Sequence, residues 1–294
     1  MTRDYLSRVL CDSLSLRACT VISRNIVKEI TDVHKTSPNA AYALGRTINA
    51  AALLSSTLKP DSDQNLTVKF MGSGPLREVQ VQADARGNLR GYVLNPDVDF
   101  IQDLGGINFS RAIGAGFLII TKDMGLKEPY NSVMSLEKGE VAADVAYYLS
   151  VSEQVPSALI LGLNIGFTGE ILSSGGILIQ SLPETTIETL EMVENNIHSM
   201  PRSLGDLLQD GEDIYNIVSR LMGNEPLSIM STYELRHSCR CSSSMIESVI
   251  RNLDNKDIKG IIDEYKAMEL TCTFCKKIYR FTEEDLKKLE ISLD

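Results

Sequence analysis

Four of the chain's six cysteines fall in two close pairs, Cys239-Arg240-Cys241 and Cys272-Thr273-Phe274-Cys275, with thirty residues between them. Four thiolates in two such pairs match what one tetrahedral zinc ion needs, at about 2.3 Å per Zn–S bond. The same pairs can also close two disulfides without changing partners. The motif therefore reads as a zinc site that doubles as a thiol switch.

The rest of the sequence bounds where such a switch works. Met1-Thr2-Arg3-Asp4-Tyr5 lacks the basic-then-apolar shape of a signal peptide. No apolar run reaches the roughly 18 residues of a membrane span, so no membrane association is expected. The expected compartment is cytoplasmic, where paired cysteines bind metal or do redox work more often than they form permanent staples.

Net charge is −10, and its distribution says more than its sum. Residues 183–232 carry two basic side chains, Arg202 and Arg220, against nine acidic ones, a net of −7. Residues 233–294 carry 11 basic and 12 acidic residues, so the cysteine region is nearly neutral. A nucleic-acid binder shows a basic stripe, because phosphate neutralisation dominates its affinity. None is visible, so no nucleic-acid partner is expected.

The pattern of elements predicts an α+β fold. Residues 1–182 read as an N-terminal α/β core domain with antiparallel-type sheets and helices. Strand formers occupy 9–16 and 18–22 around a turn at Asp12-Ser13. Helices are predicted over 26–34 and, opened by Ser37-Pro38, over 39–58. Alternating apolar residues at Leu66, Val68, Phe70 and at Val79, Val81, Ala83 predict strands, and 89–94 returns after a turn as a hairpin. Strands follow over 117–121 and 132–136. Gly139-Glu140 starts a helix with Val141, Val145 and Tyr148 on one face. Three short strands over 158–166, 170–172 and 177–182 close the domain. No regular βαβ alternation occurs, which favours α+β over a doubly wound fold. Gly72-Ser73-Gly74 and Gly114-Ala115-Gly116 read as turns, since no phosphate-loop motif follows either.

Pro183 opens a helical linker over 183–232. Thr185-x-x-Glu188 has the form of a capping box. Ile187, Leu190, Ile197 and Met200 recur at helical spacing. A short helix holds Leu204, Leu207 and Leu208. A third, over 212–222, places Ile214, Ile217, Val218 and Leu221 on one face before Gly223. Helices this short are marginal alone, so their order must come from docking on something else. Residues 233–294 form a small C-terminal zinc-binding module, with helices over 244–253 and 256–267, a knuckle and strand over 275–280, and a final helix over 283–289 capped by Thr282. A module of about 60 residues with few large apolar groups depends on its metal to fold.

The chain resembles the redox-regulated 33-kDa heat-shock chaperone family. The resemblance rests on Cys239-x-Cys241 and Cys272-x-x-Cys275, with Tyr279, Phe281 and Leu286 behind them. It extends to Ala43-Leu44-Gly45-Arg46, Gly91-Tyr92-Val93-Leu94-Asn95-Pro96, Thr121-Lys122-Asp123-Met124-Gly125-Leu126, Ser152-Glu153-Gln154-Val155-Pro156-Ser157 and Gly175-Gly176-Ile177-Leu178-Ile179-Gln180. It implies a cytoplasmic, ATP-independent holdase, not an enzyme. In the reduced form Cys239, Cys241, Cys272 and Cys275 hold one Zn2+ per chain. In the oxidised form they pair as Cys239–Cys241 and Cys272–Cys275, the zinc domain and linker unfold, a homodimer forms, and unfolded or misfolded client proteins bind under oxidative stress.

Other readings stand beside it. The cysteines can form a structural zinc ribbon, or Cys272-x-x-Cys275 can serve a thiol–disulfide oxidoreductase, although no thioredoxin-like unit surrounds it. Cys11 and Cys19 read as small buried hydrophobes. His237 reads as a solvent-facing neighbour, since four sulfurs already complete the shell, and His34 and His198 read as surface residues.

Overall fold

A computed structural model describes residues 3–98, 102–103, 106–166, 168–253, 260 and 266–291. They divide into two compact units, Met1–His237 and Ser238–Asp294. The first unit begins with β1 (Tyr5–Cys11), β2 (Leu16–Ile22), α1 (Arg24–His34), α2 (Pro38–Ser55), β3 (Asn65–Gly72), β4 (Glu78–Asp84) and β5 (Asn88–Val93). A short pair, β6 (Gln102–Asp103) and β7 (Gly106–Ile107), precedes α3 (Phe109–Ile113), β8 (Gly116–Asp123), β9 (Tyr130–Ser135) and α4 (Val141–Val151). The unit ends with β10 (Ser157–Ile165), β11 (Ile171–Ser181), α5 (Ile187–His198), α6 (Leu204–Gln209), α7 (Ile214–Leu221), β12 (Ser228–Glu234) and β13 (Arg236–His237).

Two sheets result. One has the order β10-β11-β2-β1-β12 and is antiparallel throughout. The other has the order β13-β5-β4-β3-β8-β9, antiparallel except where β13 lies parallel to β5. The α+β class expected from the sequence is the class observed.

Helix α2 lies between the sheets, against β2, β10 and β11 on one side and β3, β4 and β5 on the other. Fifteen of its 18 residues are buried, which its run of alanines makes possible, since only small side chains fit between two close layers. Its buried amide Asn49 donates to Ser174 Oγ at 3.0 Å and to the Gly175 carbonyl at 3.1 Å, and accepts from Ser23. Arg46, one turn earlier, donates to the Leu161 carbonyl at 2.9 Å and pairs with Glu140. Glu140 in turn caps α4 by accepting from the Ala142 and Ala143 amides.

The first sheet is apolar on both faces. Leu6, Cys19, Val21, Leu161 and Leu178 face α2. Val9, Leu16, Ala18, Ile177 and Ile179 face the other way and share a second core with Val193, Leu204, Leu207, Ile214, Ile217, Val218, Leu221 and Met222. The acidic helices α5–α7 thus lie on this sheet, with their apolar stripes against it. Ile187 is not part of that contact, being 71% exposed. The strand β12 that follows them pairs with β1, so residues 228–237 are strands of the first unit and the boundary between units falls at 237/238.

Other sequence expectations shift with tertiary context. The first strand starts at Tyr5 and ends at Cys11. Residues 171–181 form one continuous strand and do not break at Gly175-Gly176. Both glycines sit where neighbours press from opposite sides. A Cβ on Gly175 would lie 2.6 Å from the Val21 carbonyl oxygen, and one on Gly176 would lie 2.9 Å from Leu53. The cap of α5 is Thr186, not Thr185, whose hydroxyl instead donates to the Ser15 carbonyl. His34 is 4% exposed, a core residue and not a surface one, because it ends the α1 face that packs inward. Cys11 and Cys19 are buried as expected, and His198 is exposed. The two glycine-rich segments meet one another, with Ser73 N donating to Ala115 O at 2.9 Å and Gly74 N to Ile113 O at 2.7 Å.

The second unit contains α8 (Ser243–Arg251), a hairpin of β14 (Ala267–Thr271) and β15 (Ile278–Thr282), and α9 (Glu283–Ile291). Thr282 and Asp285 cap α9 reciprocally. The helix expected over 256–267 lies outside the described residues except at Gly260, which is helical, and at its end, where Ala267 is already strand. No helix among the described residues is long and apolar enough to cross a membrane.

Two outcomes follow from this packing. Ile217 is 1% exposed between α7 and the sheet, and Ile217→Ala is expected to destabilise the α5–α7 layer by about 2–4 kcal/mol, read as faster amide exchange over 187–222 than over α2. The second concerns Glu153, which accepts from Lys122 Nζ at 2.7 Å and from the Tyr148 hydroxyl. Burial acts to raise its carboxyl, but these two bonds and the Lys122 charge outweigh it and hold the group below the ordinary value of 4.5. Its stabilising contribution is therefore complete above that pH and is lost as pH falls through the depressed folded value. Glu153→Gln is expected to lower the denaturation midpoint at neutral pH, and the gap to the parent protein is expected to shrink as the solution is acidified below pH 4.5.

Candidate metal centre

The cysteine pairs are presented by two different local devices. Cys239 and Cys241 lie on the segment that enters α8, whose cap, Ser242, accepts from the Met245 amide at 3.2 Å. With one residue between them, both sulfurs reach one cluster while Arg240 is exposed. Cys272 and Cys275 occupy the turn of the β14–β15 hairpin. Cys272 N donates to Lys277 O at 2.9 Å, and Lys276 N donates back to Cys272 O at 2.9 Å. Lys276 takes a φ of 58° to close this knuckle. Such a turn aims successive side chains into one concavity.

All four Sγ atoms lie within 4.8 Å of one another. Cys239 and Cys272 sulfurs approach to 3.7 Å, and Cys241 and Cys275 to 3.4 Å. A tetrahedron with Zn–S bonds of about 2.3 Å has edges of about 3.8 Å, so the set fits such an ion. The residues expected from the sequence are the ones brought together. His237 is not among them. Its Nδ1 meets Glu29 at 2.9 Å and its side chain is only 9% exposed, so it is a buried partner of α1 and not a solvent-facing neighbour. All six cysteines are free thiols.

Two of the four thiols, Cys241 and Cys275, are pushed in opposite directions. Burial acts to raise Cys241, but bonds from Tyr279 and the other three sulfurs outweigh it, and its thiol is lowered to about 7. Burial and the bonds shared with the other three sulfurs push Cys275 the other way, to about 12. Four thiolates this close repel one another, so a cation at their centre favours the fully ionised set.

The floor beneath the sulfurs is Ile250, Tyr279, Phe281 and Leu286, the buried apolar set of this unit besides Cys272 among the described residues. Tyr279 contributes more than packing, since its hydroxyl donates to Cys241 Sγ at 3.1 Å. The sequence carried a signal for its inward position: Tyr279 and Phe281 alternate with polar residues on β15, the period of a half-buried strand. Nothing in the pattern alone assigned the hydroxyl a partner. The CxxC stands in a hairpin turn before a strand, and not at a helix N-terminus after one, which is where thioredoxin-like redox motifs stand.

Comparison with known proteins agrees with this geometry. The family model described as Hsp33 protein matches residues 4–282. The 33 kDa chaperonin of Acetivibrio thermocellus is 37% identical over 287 residues, covering 97% of this chain and 96% of that protein. The 33 kDa chaperonin of Clostridioides difficile is 37% identical over 293 residues, covering 98% of each. The crystal structure of the 33 kDa chaperonin of Thermotoga maritima matches with a TM-score of 0.91 at 31% identity, covering 99% of both chains. A match of this extent, running through both units and all four clustered cysteines, places the chain in the Hsp33 protein family.

Proposed function

We propose that the chain is a redox-regulated, ATP-independent chaperone of the cytoplasm, a holdase and not an enzyme. Reduced, it keeps Cys239, Cys241, Cys272 and Cys275 on one zinc ion. Oxidised, it pairs them as Cys239–Cys241 and Cys272–Cys275. The second unit then unfolds, α5–α7 leave their sheet, the protein dimerises, and unfolding client proteins bind the apolar surface uncovered. The observation that carries this reading is a four-sulfur cluster inside a unit whose buried apolar set numbers five residues among those described.

Bound zinc keeps all four sulfurs as thiolates, the form that reacts with oxidant. With peroxide, one thiolate attacks an oxygen; an S–O bond forms, the O–O bond breaks, and hydroxide leaves. A second thiolate then attacks that sulfur, an S–S bond forms, and the second hydroxide leaves. Two thiolates have given two electrons to one peroxide and are no longer ligands. Structural zinc contributes about 10–16 kcal/mol in small peptide sites, and a whole domain is stable by only about 5–15 kcal/mol. Loss of the metal is therefore enough to unfold a unit with so small a core.

The second half of the mechanism draws on the acidic layer. Val193 is the one fully buried residue of α5, and the segment 183–232 carries a net charge of −7. Self-repulsion across the layer and the single buried residue of α5 favour its release once the second unit unfolds. What it leaves behind includes Val9, Leu16, Ala18, Ile177 and Ile179, a contiguous apolar face. Such faces bind unfolded chains without regard to sequence, and the remaining negative charge keeps the complex soluble.

The test joins two measurements on one sample. Peroxide at two temperatures is expected to release zinc, and suppression of aggregation of a denatured client, read by light scattering, is expected to rise with that release. Zinc release with no gain in client protection would leave only a structural zinc site. Cys272→Ser is expected to abolish tight zinc binding and to suppress aggregation without oxidant, because three ligands no longer hold the unit. Chelation of the reduced protein is expected to remove exchange protection from 238–291 while the α2 amides stay protected. Turnover in an insulin-reduction assay would instead favour an oxidoreductase.

A further inference from the structure

Beside the C-terminal end of α2 the first unit holds a cavity of about 480 Å3 that the cysteine switch does not use. Its walls come from β1, β2, the turn over 56–60 and Met230 of β12. Arg8 pairs with Cys19 and Leu10 with Arg17 across the β1–β2 ladder, so these four side chains share the face of the sheet that α2 covers. The turn after α2 is fixed by its own bonds. Lys59 N donates to Gln64 Oε1 at 2.8 Å, and Ser62 Oγ donates to the Lys59 carbonyl at 2.6 Å. Met230 enters through an irregularity in β12. Ser231 pairs with Arg8 and Ile229 with Val9, so Met230 is bulged out of the ladder. Such bulges re-aim a side chain and are over-represented next to active sites.

The cavity is one-sided in charge. Arg8, Arg17 and Lys59 line it, and no carboxylate does. Among the described residues none of the three forms an ion pair, in a chain whose net charge is −10. Arg8 Nη2 donates to the Ser56 and Leu58 carbonyls at 2.6 and 3.3 Å, and its guanidinium lies 5.4 Å from the centre of the Tyr233 ring. These contacts hold the guanidinium in place without neutralising it. Arg17 Nε donates to the neutral Gln180 side chain at 3.2 Å. Burial raises the Cys19 thiol against the opposing pull of Ser56, Arg8 and Arg17, so the sulfur adds no negative charge. A partly buried cation is stabilised by a paired anion. Three cations together suit a dianion better than a single carboxylate, and the guanidinium fork matches phosphate oxygens. Leu10, Pro60 and Met230 complete an apolar side, and the volume falls in the range of about 300–1,000 Å3 typical of small-molecule sites. We propose that this cavity binds a small organic phosphate, a monoester whose dianion meets Arg8, Arg17 and Lys59 and whose apolar part lies against Leu10, Pro60 and Met230. The site stands apart from the redox reading, since every residue that lines it belongs to the first unit.

The experiment uses the reduced, zinc-loaded full chain labelled with methyl-13C methionine, the Met230 resonance being assigned through Met230→Leu. Phenyl phosphate, inorganic phosphate and benzoate are titrated in turn. Phenyl phosphate is expected to saturate at one per chain and to move the Met230 methyl signal more than those of the other nine methionines. Inorganic phosphate, which lacks the apolar part, is expected to bind about ten-fold more weakly, and benzoate, a monoanion, also about ten-fold more weakly. Arg8 also holds the end of α2, so the variants are made at the two exposed cations. Arg17→Gln and Lys59→Gln are each expected to weaken phenyl phosphate about ten-fold, the equivalent of one hydrogen bond to a charged group, with the thermal midpoint of the unliganded protein unchanged. Lys138→Gln, at an exposed lysine outside the lining, is expected to leave the affinity as it is. If Lys138→Gln weakens binding as much as Arg17→Gln does, the attraction is to charge in general and the proposal is overturned. Absence of saturation overturns it too, as does a Met230 signal that stays still while phenyl phosphate binds. Unchanged affinity in both cavity variants, or benzoate binding as tightly as phenyl phosphate, is equally fatal.

Discussion

A strand whose alternate residues are apolar on both sides must find cover on both sides, and β2, β10 and β11 are such strands. Their odd and even positions feed two separate cores, one around α2 and one beneath α5–α7. Every other feature of the first unit accommodates that demand. The permanent cover is an alanine-rich helix held by Asn49 and Arg46, both bonded to backbone carbonyls across the layer. The other cover is a set of short acidic helices, of which α5 buries only Val193. A sheet with one firm and one loose cover has the form needed to conceal a sticky surface and give it up on demand.

The second unit is stabilised by different means. Among its described residues the buried apolar set numbers five, and one of these is itself a clustered cysteine. In a unit this small, a metal ion can supply what hydrophobic burial supplies elsewhere, and the function proposed above gives the four clustered sulfurs that part. On that reading, oxidation of sulfur acts as a folding signal, which a core of leucines could not do.

How much of this was legible in the sequence depends on how local each determinant is. The cysteine spacing, the Ala-rich run of α2, the alternation of Leu66, Val68 and Phe70, and the amphipathic spacing of α7 are written within a few residues of one another, and each appeared where expected. Misreadings came where a distant neighbour decided. Gly175-Gly176 reads as a break, yet Val21 and Leu53 press on the two faces and the strand runs through. His34 reads as a surface residue, but α1 turns it inward. Residues 228–237 read as linker and module, but pairing with β1 and β5 makes them strands of the first unit.

The sequence by itself determined the α+β class, the identity of the four clustered cysteines and the excess of negative charge in 183–232, because spacing, periodicity and charge are properties of the chain before it folds. Only the tertiary structure decided that α5–α7 lie on the far face of a two-faced sheet, that His237 meets Glu29, and that the Tyr279 hydroxyl donates to Cys241. Those are pairings between residues far apart along the chain, chosen by which surfaces fit when the whole is packed, and no local pattern encodes them.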